Sequence, residues 1–273
     1  MNKKNIADKI TELEEFLRQK QSVLLAFSGG VDSALLAVLA ARTLKRDNFL
    51  AATIDHPCLP RWELANAQNL AESFAIPHKV FHLDQWAIPG FRENGAERCY
   101  LCKKAFLLLL RQEAQGAGFT CLMDGSNADD KNDFRPGARA LAELSVESPL
   151  QTLNWSKAEI RQASRVLGLP TADQPSYACL ASRIPQDSPI TLEKLQQIEE
   201  MEKLLHQLGF IESRARHHGD SMRLEIDKAS FAKIIAADIR LKLVQRATEL
   251  GFRWLTLDLE HYRSGRLNPG NKQ

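Results

Sequence analysis

No apolar run in this sequence approaches the roughly 20 residues that a membrane-spanning helix requires, which excludes a helical membrane protein. A signal-type apolar stretch is missing too. Met1-Asn2-Lys3-Lys4 leads directly into a charged helical pattern. The expectation is a cytosolic protein with reduced cysteines. Charge of one sign is scarce: the formal net charge is only +2, whereas proteins that live on phosphate backbones carry a larger basic excess. That near-balance argues against nucleic acid as the partner. There is no internal repeat and no low-complexity tract. Cysteine is sparse, with five in the chain and no second C-x-x-C, so a four-thiolate zinc site has no obvious ligand set.

What is present is a chain of 273 residues, 44% of them apolar. That exceeds the usual size of a single core and predicts one large domain with a smaller one. Ile6, Ile10, Leu13 and Leu17 recur at helical spacing. Short apolar runs at 23–27, 49–54, 79–83 and 120–123 read as strands. They alternate with helical stretches at 34–44, 62–74, 103–114 and 157–167. Strand–helix alternation of this kind predicts a doubly wound parallel sheet with helices on both faces, an α/β fold over residues 1–170. Residues 171–189 are rich in proline and small polar side chains and carry Cys179, so they read as an ordered, functional connector. From 190 to 273 the pattern changes to a small α+β domain. It has a helix over 191–208 and strands at 213–218 and 222–226, with Gly219-Asp220 as the hairpin signal between them. A helix over 239–250 and a strand over 254–257 follow.

The most specific motif is Ser28-Gly29-Gly30-Val31-Asp32-Ser33, placed after a predicted strand and before a predicted helix. Glycine lets the backbone approach a ligand closely, and a helix start offers free N–H groups and a positive dipole end to an anion. Ser28 and Ser33 add hydroxyl donors. The plainer reading is a glycine-rich turn with Asp32 or Ser33 as a helix cap. Ligands of open parallel sheets sit beyond the strand C-termini. The strand ends near Thr53 and at Asp124-Gly125 therefore belong to the same candidate site.

Cys99 and Cys102 form a C-x-x-C, a spacing open to a metal or cluster, a redox dithiol or two inert helix cysteines. Cys179 lies in the connector near Arg183, a cation able to stabilise a thiolate nucleophile. Cys121 falls in a predicted strand and reads as core; Cys58 reads as non-catalytic.

The motif Ser28-Gly29-Gly30-Val31-Asp32-Ser33 resembles the S-G-G-x-D-S signature of the PP-loop ATP pyrophosphatases. That resemblance implies cleavage between the α- and β-phosphates of ATP, with Mg²⁺ accompanying the pyrophosphate. Four further motifs follow it in order. They are Asp124-Gly125-Ser126-Asn127, the segment 130–137 that contains Arg135, the Cys179 segment, and Tyr262-Arg263-Ser264-Gly265-Arg266. Together, over nearly the whole chain, they resemble the LarE family of ATP-dependent sulfur transferases. The resemblance implies adenylylation of a carboxylate on a pyridinium mononucleotide and attack by the cysteine at position 179. The product is a thiocarboxylate for the nickel-pincer nucleotide. In one version of the family that cysteine gives up its own sulfur. In the other, three cysteines hold a [4Fe-4S] cluster whose open iron binds sulfide from a sulfur donor. The presence of Cys99 and Cys102 beside Cys179 resembles the second version, since three thiolates leave one iron of a cubane free.

Arg214 and Arg216 alternate on a predicted strand and so share a face; they match arginines that contact the substrate phosphate in the resembling family, while Arg263 and Arg266, with Ser264 and Gly265, make another anion loop and Arg183 is a further candidate for that phosphate. Glu202 and Glu225 fall at family positions linked to metal binding, although composition alone makes them surface carboxylates. Asp129, Asp130 and Asp133 can assist Mg²⁺ or cap a helix. The family also implies a homo-oligomer. Three other functions remain open on the sequence: a [4Fe-4S]-dependent tRNA thiolase, an amidating synthetase without need of the cysteines, and a module that senses a nucleotide without cleaving it.

Overall fold

The computed structural model describes residues 5–132, 136–175 and 178–262. The chain folds in two compact units, 1–89 with 97–177 and 90–96 with 178–273. Among the described residues, no helix is long and apolar enough to cross a membrane.

The first unit opens with α1 (Ile6–Arg18), started by Asn5, whose side chain accepts from the Asp8 N–H at 2.9 Å. Strand β1 (Val23–Ala26) runs into α2 (Val31–Thr43), and β2 (Phe49–Asp55) into α3 (Arg61–Ser73). Strand β3 (His78–His82) is followed by α4 (Arg98–Gly116), then β4 (Cys121–Met123). Three helices close the unit: α5 (Pro136–Glu143), α6 (Pro149–Thr152) and α7 (Lys157–Val166). The last begins with a reciprocal cap between Ser156 and Glu159.

The four strands form one parallel sheet in the order β3-β2-β1-β4. Period-two alternation on β1 splits the core. Val23 and Leu25 join Leu13, Leu35, Leu39, Trp155 and Ile160 in one cluster, whereas Leu24 joins Ala52, Phe81, Leu107 and Leu110 in another. Each face of the sheet is thus buried under helices, and this is why β1 is apolar throughout. The expected doubly wound arrangement is the observed one. Helix α2 is buried almost all round because it lies between β1 and the outer helices α1 and α7.

The second unit contains α8 (Leu192–Gln207), β5 (Ser213–His218), β6 (Ser221–Ile226), α9 (Phe231–Ile234), α10 (Ala237–Glu249) and β7 (Trp254–Leu257). Strands β5 and β6 pair antiparallel around Gly219, at φ +63°, while β6 and β7 pair parallel. Ala215, Met222, Leu224 and Ile226 pack with Met201, Leu205 and Leu243 from α8 and α10. The opposite sheet face carries Arg214, Arg216, Arg223 and Glu225 in register. Segment 90–96 belongs to this unit for a local reason. Asn94, 1% exposed, accepts from the Asp187 N–H and donates to the Pro185 carbonyl at 2.8 Å, and the Ile190 N–H reaches the Arg92 carbonyl at 2.8 Å.

Candidate active site

The phosphate loop leaves β1 and enters α2. Gly29 sits at φ +74°, and a Cβ there would lie 2.9 Å from both Cα and Cβ of Ala67 on α3. Both the backbone conformation and the close approach demand glycine. Gly30 is the N-cap of α2 and brings no side chain to its first amides. The Ser33 hydroxyl donates to the Gly30 carbonyl at 3.1 Å and lies 3.1 Å from the Ser28 hydroxyl. The serines therefore brace the turn, and the helix start is left to an anion. Gly29→Ala should cost about 1–2 kcal/mol for the left-handed backbone alone, with the Ala67 contact in addition. ATP binding by calorimetry and the urea midpoint should fall together; an unchanged ATP affinity would remove the loop from the nucleotide site.

Two lysines reach carboxylates of this region, one on the loop and one just beyond β4, without any announcement in the sequence. Lys157, the first residue of α7, places Nζ 2.5 Å from Asp32 Oδ2, and Asn127 Nδ2 reaches Asp32 Oδ1 at 3.2 Å. Lys103 Nζ lies 3.5 Å from Asp124 Oδ2. Asp124, just beyond β4, also accepts from the hydroxyls of Ser126 at 2.7 Å and Ser148 at 2.6 Å. Gly125 passes so close to α2 that a Cβ would stand 3.0 Å from the Ser33 nitrogen. The glycine-rich loop has no lysine of its own; packing brings Lys157 of α7 to its Asp32, and Lys103 of α4 to Asp124.

Thr53 donates to the Phe27 carbonyl at 2.7 Å and lies 2.8 Å from His78 Nε2. Since a hydroxyl has one proton, it accepts from His78, which carries its hydrogen on Nε2. Burial keeps the His78 pKa below its ordinary value. Asp129 caps α7, accepting from the Lys157 N–H at 2.8 Å, and Asp130 accepts from the Asn127 N–H at 3.0 Å. Arg135 and Asp133 lie outside the described residues.

Helix α4 begins at Arg98, earlier than the residue-103 start expected from periodicity, so the C-x-x-C forms its first turn. Cys99 is exposed and accepts from Arg98 Nη2 at 3.3 Å; Cys102 is half-buried and accepts from Gln85 Nε2 at 3.1 Å. Cys58 is fully buried. Cys121 is half-buried and packs against the core: its thiol donates to Glu147 at 3.3 Å, and burial, then that carboxylate, pushes its pKa up to about 12. Such a thiol is not a nucleophile.

In the second unit Cys179 is exposed at the start of a short 3₁₀ turn, Leu180–Arg183. Arg183, 1% exposed, holds it from beneath. Its Nη1 donates to the carbonyls of Ala178 and Cys179, the latter at 3.1 Å, and to the Ser182 hydroxyl at 3.0 Å. Its Nε and Nη2 grip Glu202 at 2.9 and 3.1 Å. Glu202 also accepts from the Ala215 N–H at 3.1 Å. Arg216 binds Glu225 at 2.8 Å and the Ser182 carbonyl at 2.9 Å, while its buried Nε meets no hydrogen-bond partner among the described residues. Arg214 donates to the Ser213 carbonyl at 2.7 Å and the Tyr262 hydroxyl at 3.1 Å. Burial first, then the charge of Arg183, pulls its pKa below the ordinary arginine value. Glu202 and Glu225 are 2% and 0% exposed, contrary to the surface setting that composition suggested, because each is drawn in by a buried guanidinium. Arg263 and Arg266 lie outside the described residues. Among the described residues, no three His, Cys, Asp or Glu side chains gather as a metal site.

The NAD synthase family model matches residues 5–98, the stretch with the phosphate loop. A Lactiplantibacillus plantarum protein named pyridinium-3,5-bisthiocarboxylic acid mononucleotide synthase is 32% identical over 263 residues, 96% of this chain and 95% of its own. The chain belongs to that synthase's family, LarE. An uncharacterized Synechocystis protein is 38% identical over 96% of this chain and 98% of its own. One from Methanocaldococcus jannaschii is 30% identical over 94% and 98%. This LarE-family chain is an ATP-using enzyme, and the family's PP-loop chemistry brings ATP, Mg²⁺ and a small-molecule nucleotide substrate.

Proposed function

We propose that this enzyme adenylylates a carboxylate of a pyridinium biscarboxylate mononucleotide with ATP, releases pyrophosphate, and replaces the activated oxygen by sulfur. The thiocarboxylate so made serves nickel-pincer nucleotide biosynthesis. The observation that carries this reading is the alignment over 95% of the length of the relative named as the synthase, in a chain that has both a phosphate loop and a pinned, exposed cysteine.

The substrate carboxylate attacks the α-phosphorus of ATP, and the bond to the β-phosphate breaks. Ser28, Gly29, Gly30 and Ser33 at the start of α2 take the departing pyrophosphate. Asp32 and Asp124 are the carboxylates beside the loop for Mg²⁺, and Thr53, Gly125 and Arg135 flank the nucleotide. Arg183 spends its donors on Glu202 and the Cys179 segment, so its part is to hold that segment. The substrate phosphate falls to Arg214, Arg216, Arg263 and Arg266. Glu225 keeps Arg216 in place and Glu202 keeps Arg183 in place, and the two carboxylates are the weaker candidates for a metal.

For the sulfur step, Cys99, Cys102 and Cys179 would hold a [4Fe-4S] cluster. The donor set of the C-x-x-C supports this. The two cysteines are one helical turn apart, and each sulfur accepts an N–H. A cluster with three protein thiolates supplies an open iron for sulfide. Sulfide or another sulfur donor would supply the sulfur, and the enzyme works in the cytoplasm as a homo-oligomer.

The test is anaerobic reconstitution with iron and sulfide, followed by metal analysis and pyrophosphate assay. About four irons per chain are expected, with pyrophosphate release dependent on the biscarboxylate nucleotide. Cys99→Ala should lose the cluster and keep pyrophosphate release. A full cluster in Cys99→Ala removes that ligand, and pyrophosphate release indifferent to the nucleotide removes the substrate.

A further inference from the structure

Arg216 and Arg223 stand directly opposite each other where β5 pairs with β6. Like charges facing across a strand pair repel, so a sheet face does not place them there without a reason. One carboxylate offsets part of that repulsion. Glu225, 0% exposed, accepts from Arg216 Nη2 at 2.8 Å on Oε2 and from Arg223 Nη2 at 3.3 Å on Oε1. It ties the two guanidiniums side by side. Each of them keeps an unused donor. The Nε atoms of Arg216 and Arg223 are buried and meet no hydrogen-bond acceptor among the described residues. Asp258 Oδ2 is an ion-pair neighbour of Arg223 Nε at 3.5 Å, without the geometry of a hydrogen bond. Buried N–H groups find acceptors in nearly every folded protein, so open donors on two facing cations point to an anionic ligand. Access then singles out one residue. Arg214 and Arg216 are 3% and 7% exposed, and their Nη atoms donate to Ser213, Tyr262, Ser182 and Glu225. The Arg223 side chain is 32% exposed, and a ligand arriving from solvent meets it first.

We propose that Arg223 contacts the phosphate monoester of the substrate and shares it with Arg216 across the strand pair. The inference rests on the reading that the substrate is a mononucleotide, and it adds to that site a residue that no motif singled out. Guanidinium groups grip phosphate oxygens through forked donors, and Glu225 sets the spacing of the two forks.

Calorimetry on the full-length protein without ATP tests this with two probes. One is nicotinic acid mononucleotide, a pyridinium carboxylate with a 5′-phosphate; the other is its riboside, which lacks the phosphate. Wild type should bind the mononucleotide more tightly. Arg223→Gln should weaken the mononucleotide about 10- to 100-fold, as expected for lost hydrogen bonds to a charged group, and leave the riboside unchanged. Arg223→Lys should recover part of the loss. A glutamine variant that binds the mononucleotide as wild type does, or loses both probes equally, overturns the proposal. A wild type with equal affinity for both overturns it too, and leaves the mononucleotide reading standing; a wild type that binds neither sinks both. If Arg223→Gln does not fold, modification of wild type by phenylglyoxal, mapped by peptide mass spectrometry, decides. The mononucleotide should slow modification of Arg223 and the riboside should not; no protection at Arg223 rules the contact out.

Discussion

Cys179→Ala should stop thiocarboxylate formation, by about 10³-fold or more, and leave nucleotide-dependent pyrophosphate release close to wild type. In the proposed reaction the two halves draw on different residues. Adenylylation would use the loop at the start of α2, braced within the first unit by Ser28, Ser33 and Gly30. Sulfur delivery would use an exposed thiol whose backbone is pinned in the second unit by Arg183. Removing one sulfur atom takes away no hydrogen bond from Arg183, which grips carbonyl oxygens of that segment, so the segment keeps its form. The measurement pairs a pyrophosphate assay with mass spectrometry of the nucleotide product. Thiocarboxylate at wild-type rate in Cys179→Ala excludes this residue both as nucleophile and as ligand. Loss of pyrophosphate release as well would make Cys179 part of the adenylylation site instead.

Glu202→Ala should produce the largest loss of stability of any single change in the second unit, about 3–5 kcal/mol. Glu202 is buried and faces two guanidinium nitrogens of Arg183 and the Ala215 N–H. Without it, a guanidinium 1% exposed keeps its charge with no carboxylate against it. The double variant Arg183→Met with Glu202→Met removes both charges and should recover much of the loss, because apolar side chains of similar size replace a buried pair at little cost. Urea unfolding followed by near-ultraviolet circular dichroism checks this, and additive single-variant losses would contradict it. Acid reads the same pair. Burial raises the Glu202 pKa, but the charge and hydrogen bonds of Arg183, with Arg214 and the Ala215 N–H, outweigh it and hold the net value below the ordinary carboxylate. A lowered folded pKa means that the contribution is complete above the unfolded value of about 4.3. It is lost as pH falls through the depressed folded value. Wild type should therefore lose stability on acidification along a limb that the double variant lacks.

The sheet was legible because its signals are local. Four short apolar runs separated by helical periods have few solutions other than a parallel α/β sheet, and Gly219-Asp220 at the hairpin names its own turn. The phosphate loop was legible for the same reason, since a strand, two glycines and a helix start lie within a few residues. Periodicity placed the start of α4 too late because Cys99, Tyr100 and Cys102 break the simple apolar pattern. The cradle of that turn comes instead from Gln85 on a distant segment.

By itself, the sequence determined the parallel sheet, the phosphate loop, the C-x-x-C and the pairing of Arg214 with Arg216 on one strand face, all of which are matters of spacing along a chain. Tertiary structure alone decided that Lys157 and Lys103 come to Asp32 and Asp124, that Glu202 and Glu225 are buried, that Arg183 grips the Cys179 segment, and that residues 90–96 pack with the second unit. Charged side chains carry no periodic signature. Whether one is solvated or buried depends on whether packing brings an opposite charge to it, and that partner can stand anywhere in the sequence.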